Sequence, residues 1–409
     1  MKTTDLCGLI LLLSLACGNE GEEEATTAET ETTASTPETL TSDYAGTSAE
    51  TSTESTAYQT FYSGTTAAQL QGEYFAEMFL YRGLNDAVQA TSRMIASPAV
   101  YLNAADADKT IAREIAQILP TLITEMTGGV LTAEAVLSGD KPTDRPVIEF
   151  MFGNTSGAVC VGGHTRDGNT ITAGTITCDE ALINNAAGYT DGKKTIGRTM
   201  RHELGHILTD TAHSGMAGSI MAYNTASNMQ PLGFPEFELN AWTSLYQHDA
   251  GTTVSQLEAA GTLTAAHLDP PPYVIQTRIH KPNPYFNSDG TSRDNPSEAI
   301  QAIMFNDTDR GAVGFHIRIE GNRFPFRWGC SQTPTTIPTV SFGGVVATGV
   351  SFEQPAGNDT ASGAERACPS LIATIPAGAV SGKLTVTARG LVSNELDFEI
   401  FTSTLTPDD

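Results

Sequence analysis

Apolar residues recur at helical spacing over four stretches of the chain and alternate at strand spacing over several others. Leu70, Tyr74, Met78 and Tyr81 predict a helix within 66–96. Ile111, Ile115, Ile118, Leu119 and Leu122 predict a second over 106–126, kinked at Pro120 and ended by Gly128-Gly129. Ile196, Met200, Leu204 and Ile207 place a third over 194–208, and Phe237, Leu239, Trp242 and Leu245 a fourth over 236–246. Strand signals lie between them. Ala99 to Leu102 is a short run, and Pro146 to Phe152 is apolar on both faces. Thr170 to Cys178 alternates as an exposed strand would.

After His267 the texture changes. Pro270-Pro271-Pro272 marks a linker, and short β-prone runs follow, separated by Gly, Pro, Asn and Asp. They include Phe315 to Ile319, Thr339 to Phe342, Leu371 to Ile375 and Lys383 to Thr387. That spacing predicts a β-sandwich. The expected fold is therefore an α/β (α+β) domain followed by an all-β sandwich. The expected boundaries are 59–97 for a helical N-terminal segment, 98–268 for the α/β domain and 269–403 for the sandwich.

Charge alters the picture at the N-terminal end. The chain of 409 residues carries a net charge of −25, against the basic face a nucleic-acid binder needs. Residues 18 to 58 hold ten of the acids and no Lys or Arg. This Glu/Thr/Ser/Ala stretch cannot offset its ordering entropy by burial, so it reads as an extended tether. Its 41 residues would span on the order of 35 Å. Before it, Lys2 and Leu9-Ile10-Leu11-Leu12-Leu13 read as a signal peptide over 1–16, too short to span a membrane. Ser14-Leu15-Ala16-Cys17 resembles a bacterial lipobox, which implies lipidation at Cys17 and makes 17–58 a spacer from a membrane anchor. The bland alternative is secretion with cleavage nearby. Cys7 and Cys17 belong to the signal region, and export suits the other four cysteines, Cys160 and Cys178 in one half and Cys330 and Cys368 in the other. One disulfide in each half would contribute about 3 kcal/mol.

The stretch with chemistry in it is Arg201-His202-Glu203-Leu204-Gly205-His206. On a helix, residues four apart lie about 40° apart around the axis. His202 and His206 can therefore share one metal ion, with Glu203 beside them and able to reach a water on that ion. A further imidazole, His213, follows the helix, and then comes Ser219-Ile220-Met221-Ala222-Tyr223.

Together these resemble the metzincin metallopeptidases, whose signature is HExxHxxGxxH followed by a Met-containing turn. The eight residues from His213 to Met221 match many matrixins, and Ser219 to Tyr223 resembles the S-x-M-x-Y turn of astacins and serralysins. Phe234 to Tyr246 resembles the last helix of matrixin catalytic domains. Ala173 to Asp179 stands where those enzymes keep the edge strand that pairs with substrate. The resemblance implies a zinc endopeptidase acting on a protein or peptide. His202, His206 and His213 would be the metal ligands, Glu203 the general base and Met221 an apolar floor under the imidazoles. Tyr223 reads either as a hydroxyl for the oxyanion or as packing.

The sequence departs from the pattern at one place. Thr209 stands where the signature has glycine, and Ala212 where it has the third ligand, so His213 comes one residue late. A left-handed Asp210 would let the longer bend deliver His213, and Asp210 is itself the fallback ligand. Two rival readings stay open. One is a surface binding protein that has lost turnover. The other is a gluzincin-like site with Glu236 or Glu238 as third ligand. Matrixins also carry calcium, for which Asp167-Gly168-Asn169 and Asn287-Ser288-Asp289-Gly290 are candidates, although as ordinary turns they need no ion. No PRCGxPD-type cysteine switch precedes the domain.

The second half resembles the IPT/TIG immunoglobulin-like fold in four ordered pieces: Ile317 to Phe324, Val340 to Ala347, Ile375 to Gly382 and Gly390 to Asn394. Such modules act as spacers or bind surface ligands, and no catalytic cluster is visible in it.

Overall fold

The computed structural model describes residues 43–44, 62, 65–81, 88–214, 216, 218–222, 231–279, 309–324, 336–353 and 370–401. The expected signal peptide, Cys17, the expected tether apart from Asp43 and Tyr44, Tyr223, Asn287 to Gly290, Cys330 and Cys368 lie outside them. Among the described residues no helix is long and apolar enough to cross a membrane.

The first half is a mixed sheet covered by helices. Helix α1, Ala67–Phe75, is capped by the Thr66 hydroxyl, which accepts the Gln69 N–H at 3.1 Å. It continues through one π-helical turn, Ala76–Leu80, and stops at Tyr81. The predicted helix within 66–96 is thus shorter, and Arg93–Met94 is instead a strand, β1. The apolar spacing itself ends at Tyr81, and Gly83, Asn85 and Asp86 are weak helix formers. Helix α2, Thr110–Met126, runs as one helix through Pro120. Gly128 and Gly129 end it with φ of 60° and 79°, a backbone that side chains disfavour.

Strands β2 (Ala99–Leu102), β3 (Glu134–Val136), β4 (Val147–Phe152), β5 (Cys160–Asp167) and β6 (Thr170–Cys178) join β1 in one sheet. The order is β1-β6-β4-β2-β3, all parallel, with β5 antiparallel on the other side of β6. Thr170 to Cys178 is therefore not the edge strand that the resemblance led us to expect. It is paired on both flanks, with β5 on one and β4 on the other, and its alternating pattern reflects successive side chains pointing to opposite faces of the sheet. The edge is β5, whose Gly162-Gly163, His164 and Arg166 disguised it in the sequence. Cys160 and Cys178 face each other across this hairpin and are disulfide-linked.

Helices α3 (Glu180–Ala187), α4 (Gly192–Leu208) and α5 (Glu236–Leu245) complete this half, with short α6 (Val254–Ala259) and α7 (Ala265–Leu268). Helix α4 packs on β5 and β6, and α1 packs on α5. Between the α1 run and α5, Tyr74 meets Phe237 edge-on at 5.7 Å and Phe79 meets Trp242 at 4.9 Å. Each such pair contributes about 1 kcal/mol beyond its burial. Residues 70–81 share this one apolar core with the 98–268 body.

The second half holds two sheets around a core of its own. Strands β7 (Tyr273–Ile279), β8 (Arg310–Gly311), β9 (His316–Asn322), β10 (Thr339–Phe342), β11 (Val345–Val346) and β12 (Val350–Glu353) are followed by four more. These are β13 (Ser370–Thr374), β14 (Gly382–Ala388), β15 (Leu391–Val392) and β16 (Leu396–Ile400). One sheet runs β11-β10-β14-β16-β8 with β15 on β14, and the other β12-β13-β9-β7. Val340, Phe342, Leu384 and Val386 of the first meet Ile317, Ile319 and Leu371 of the second in one cluster. The alternation read from the sequence is the alternation into this shared core.

Candidate metal centre

Helix α4 forms because Ile196, Met200, Leu204 and Ile207 repeat along one buried side. The same helix carries His202, Glu203 and His206 at its C-terminal end. Gly205 sits between the two histidines, and a Cβ there would lie 2.4 Å from Met221 Sδ. Only glycine lets Met221, fully buried, come so close beneath the histidine-bearing turn.

The chain leaves α4 without a left-handed residue. Thr209 is extended, with φ −141° and ψ 166°, and Asp210 does not take a positive φ. The expectation of a left-handed Asp210 fails because side chains hold the bend instead. The Thr209 and Thr211 hydroxyls both donate to the Gly205 carbonyl, at 2.9 and 3.3 Å. They occupy a helix-end acceptor that glycine caps satisfy with backbone. Asp210 is held by Arg166 and lies 3.3 Å from His164 Nε2, both on β5. It does not belong to the histidine group.

This longer bend brings His213 back. Its Nε2 lies 3.1 Å from that of His202, which lies 3.2 Å from that of His206. Among the described residues these three form the one group of potential ligands able to hold a metal ion. Their hydrogen bonds fit such an ion. His202 Nδ1 meets the Ile220 carbonyl and His206 Nδ1 the Thr211 carbonyl, each at 2.8 Å. A carbonyl only accepts, so each Nδ1 carries the hydrogen and each neutral ring presents a bare lone pair on Nε2. Bare nitrogens 3.2 Å apart repel one another unless a cation lies between them. Burial first, and then the neighbouring imidazoles, push the His202 pKa well below its ordinary value, which favours that neutral form.

Glu203 is buried beside this group and accepts the Gly162 N–H of the edge strand. Burial lifts its carboxyl to about 7. A Cβ at position 162 would lie 2.7 Å from the Glu203 carbonyl, so β5 and α4 are in close contact here.

Glu238 on α5 is fully buried and anchors the loop that contains Met221. It accepts the Tyr74 hydroxyl at 2.6 Å, the Ser219 hydroxyl at 3.1 Å and the Ile220 N–H at 2.8 Å. Ile220 is also the residue whose carbonyl orients His202. Glu238 is therefore a support and not a ligand, and Glu236 does not join the histidines either. The gluzincin-like alternative loses both of its third ligands. The sequence signal for Glu238 was its place on an apolar helix face, between Phe237 and Leu239 and four before Trp242.

Among the described residues the remaining histidines serve elsewhere, and His280 lies outside them. His248 Nε2 lies 2.9 Å from the Thr262 hydroxyl, and His316 Nδ1 lies 2.9 Å from that of Thr374. His267 lies against Gly72 of α1. Asp167-Gly168-Asn169 forms the β5–β6 hairpin turn, with Gly168 at φ 57° and Asn169 accepting the Ser92 hydroxyl. No family model matches the chain, and no curated protein and no solved structure is significantly similar to it.

Proposed function

We propose that this chain is an exported zinc-dependent endopeptidase of metzincin type, carrying a C-terminal Ig-like module of the IPT/TIG kind. The reading rests on one observation: three imidazole Nε2 atoms converge on a point with Glu203 adjacent in sequence to the first of them. A purely nitrogen donor set of three, leaving a further position open, suits catalytic zinc. When bound, zinc supplies Lewis acidity for a peptide carbonyl and for water.

The chain's own residues do the rest. His202, His206 and His213 bind the ion, with the Ile220 and Thr211 carbonyls fixing the first two rings. Glu203 takes a proton from the attacking water and delivers it to the leaving amine nitrogen. A buried carboxylate with one backbone donor, from Gly162, is held in place for both halves of that transfer. The Tyr223 hydroxyl is a further candidate for the oxyanion. An extended peptide would add to β5, the edge strand next to Glu203. Lipidation at Cys17 would tether the enzyme to the cell envelope through the acidic stretch before Asp43, because Tyr44 is fully buried in the α/β core and donates its hydroxyl to Glu114 at 2.8 Å.

The second reading is a surface protein that binds zinc without turnover, and the bend that lacks glycine favours it. Zinc stoichiometry and casein hydrolysis decide between them. Glu203→Gln should keep one zinc per chain and lose about a thousandfold in kcat/KM. A wild type that holds zinc yet hydrolyses no faster than the variant would leave only the binding protein.

A further inference from the structure

Three buried acids lie on helices that support the metal loop, and one buried cation of the second half reaches two of them. Glu73 and Glu77 are one turn apart on α1 and its π-helical continuation, and both are almost fully buried. Glu77 accepts the Ser214 hydroxyl at 3.0 Å. Ser214 follows His213 directly. Its N–H donates to the Met221 carbonyl at 2.8 Å and its hydroxyl accepts the Met216 N–H at 3.0 Å, so it closes the base of the loop. Glu73 accepts Arg323 Nη1 at 2.8 Å, with both side chains shielded from solvent.

Arg323 comes from the other half, just after β9. Its backbone takes φ 60°, unusual for a side chain of this size, and its carbonyl accepts Arg389 Nη1 at 2.8 Å. Its guanidinium lies over the Tyr273 ring at 5.3 Å, and the Tyr273 hydroxyl reaches Glu73 and Thr65. Burial works against the Arg323 charge, yet Glu73 and then Glu77 hold its pKa above the ordinary value, so both acids lie within its field. Two carboxylates this deep need a counter-charge to stay ionised.

We propose that the C-terminal module is a working part of the metal centre: Arg323, through Glu73 and Glu77 on α1, positions Ser214 and with it His213. Arg323 is a positioning residue, not a catalytic one. The proposal rests on the reading of the three histidines as a metal site. Without Arg323 the buried ion pair with Glu73 is lost, and α1 must repack or draw in water around an unpaired carboxylate. The Glu77–Ser214 link then shifts, and the third imidazole shifts with it.

The test uses the full-length chain. Zinc affinity is measured by competition with a chromogenic chelator, and ligand geometry by the visible absorption of the Co(II)-loaded protein. Arg323→Gln should bind metal about tenfold more weakly and show an altered Co(II) band. Arg323→Lys, which keeps the charge, should restore both most of the way. A folded Arg323→Gln protein with wild-type affinity and a wild-type band overturns the coupling while leaving the metal site intact. Should Arg323→Gln not fold, Glu73→Gln, which keeps an acceptor for Arg323, is read the same way, and an unchanged band there also overturns it. A wild type that takes up neither zinc nor Co(II) refutes the metal site itself, and the coupling falls with it.

Discussion

The two halves of the chain bury different kinds of side chain. Among the described residues the α/β half buries five carboxylates, Glu73, Glu77, Asp106, Glu203 and Glu238, whereas the sandwich buries none. The sandwich core is aliphatic and aromatic, from Ile317 to Phe398. A buried carboxylate costs several kcal/mol unless donors or a counter-charge offset it, so each needs a reason. Asp106 accepts the Phe152 N–H and pairs with Lys109, which anchors the end of β4. Glu77 and Glu238 hold the two ends of the loop that follows His213, and Glu73 holds the other half of the chain. Glu203 is the exception, offset by a single backbone donor, and it is the one assigned chemistry. Buried carboxylates in this protein gather mostly around the site, and among the described residues the one charge that the sandwich buries, Arg323, pairs with one of them.

The sharpest way to break that contrast is to damage each half in its own manner. Glu238→Ala leaves the Tyr74 hydroxyl, the Ser219 hydroxyl and the Ile220 N–H without their acceptor, which should cost about 4 kcal/mol. Leu384→Ala empties a fully buried site in the sandwich and should cost about 3 kcal/mol. The two would look alike in urea unfolding. They should part in metal affinity, which falls about tenfold for Glu238→Ala and stays within twofold for folded Leu384→Ala. Equal affinities for the two variants would mean that the buried acid is only packing.

The pH dependence of stability sharpens the same contrast. Burial lifts the Glu238 carboxyl from 4.5 to about 7 against the pull of its donors. Between those values the folded protein keeps a proton that the unfolded chain has released. The stabilisation this brings is complete below pH 4.5 and is lost as the pH rises through about 7, an effect of about 3 kcal/mol. Glu238→Gln is neutral throughout and should flatten that part of the curve. The readout is urea unfolding at pH 5 and pH 8, in wild type and variant. An unaltered slope would show that Glu238 does not take up the proton.

What the sequence made legible follows from periodicity. Ile196, Met200, Leu204 and Ile207 fix which side of α4 is buried, so the placing of His202 and His206 one turn apart could be read directly. The strands β10 and β14 were equally plain, because each alternates into one core. The edge strand β5 was not, since an edge half-open to solvent needs no apolar rhythm and Gly162, His164 and Arg166 supply none. Nor were the supports of the site. Glu73 and Glu77 meet Arg323 and Ser214 from distant parts of the chain, which no local pattern names, and only Glu238 carried a signal of burial, its place four residues before Trp242. The bend after α4 lay between these cases. Its length was legible and its consequence for His213 could be reasoned, but the conformation that produces it could not.

That bend allows a prediction of smaller size that runs against intuition from the signature. Thr209 occupies the position where the HExxHxxGxxH pattern has glycine, so Thr209→Gly would seem to repair it. Here the residue is extended with negative φ, where glycine gains nothing sterically and loses more conformational entropy on folding. The change also removes the hydroxyl that donates to the Gly205 carbonyl inside the protein. Together these should make the variant about 1.5 kcal/mol less stable and bind zinc no more tightly than wild type. Urea unfolding and chelator competition read both quantities. A stabilised variant with tighter zinc would mean that the chain strains to reach His213. The expected loss would instead show that the longer bend, fastened by Thr209, Thr211 and the Asp210–Arg166 pair, is a relaxed alternative to the glycine turn.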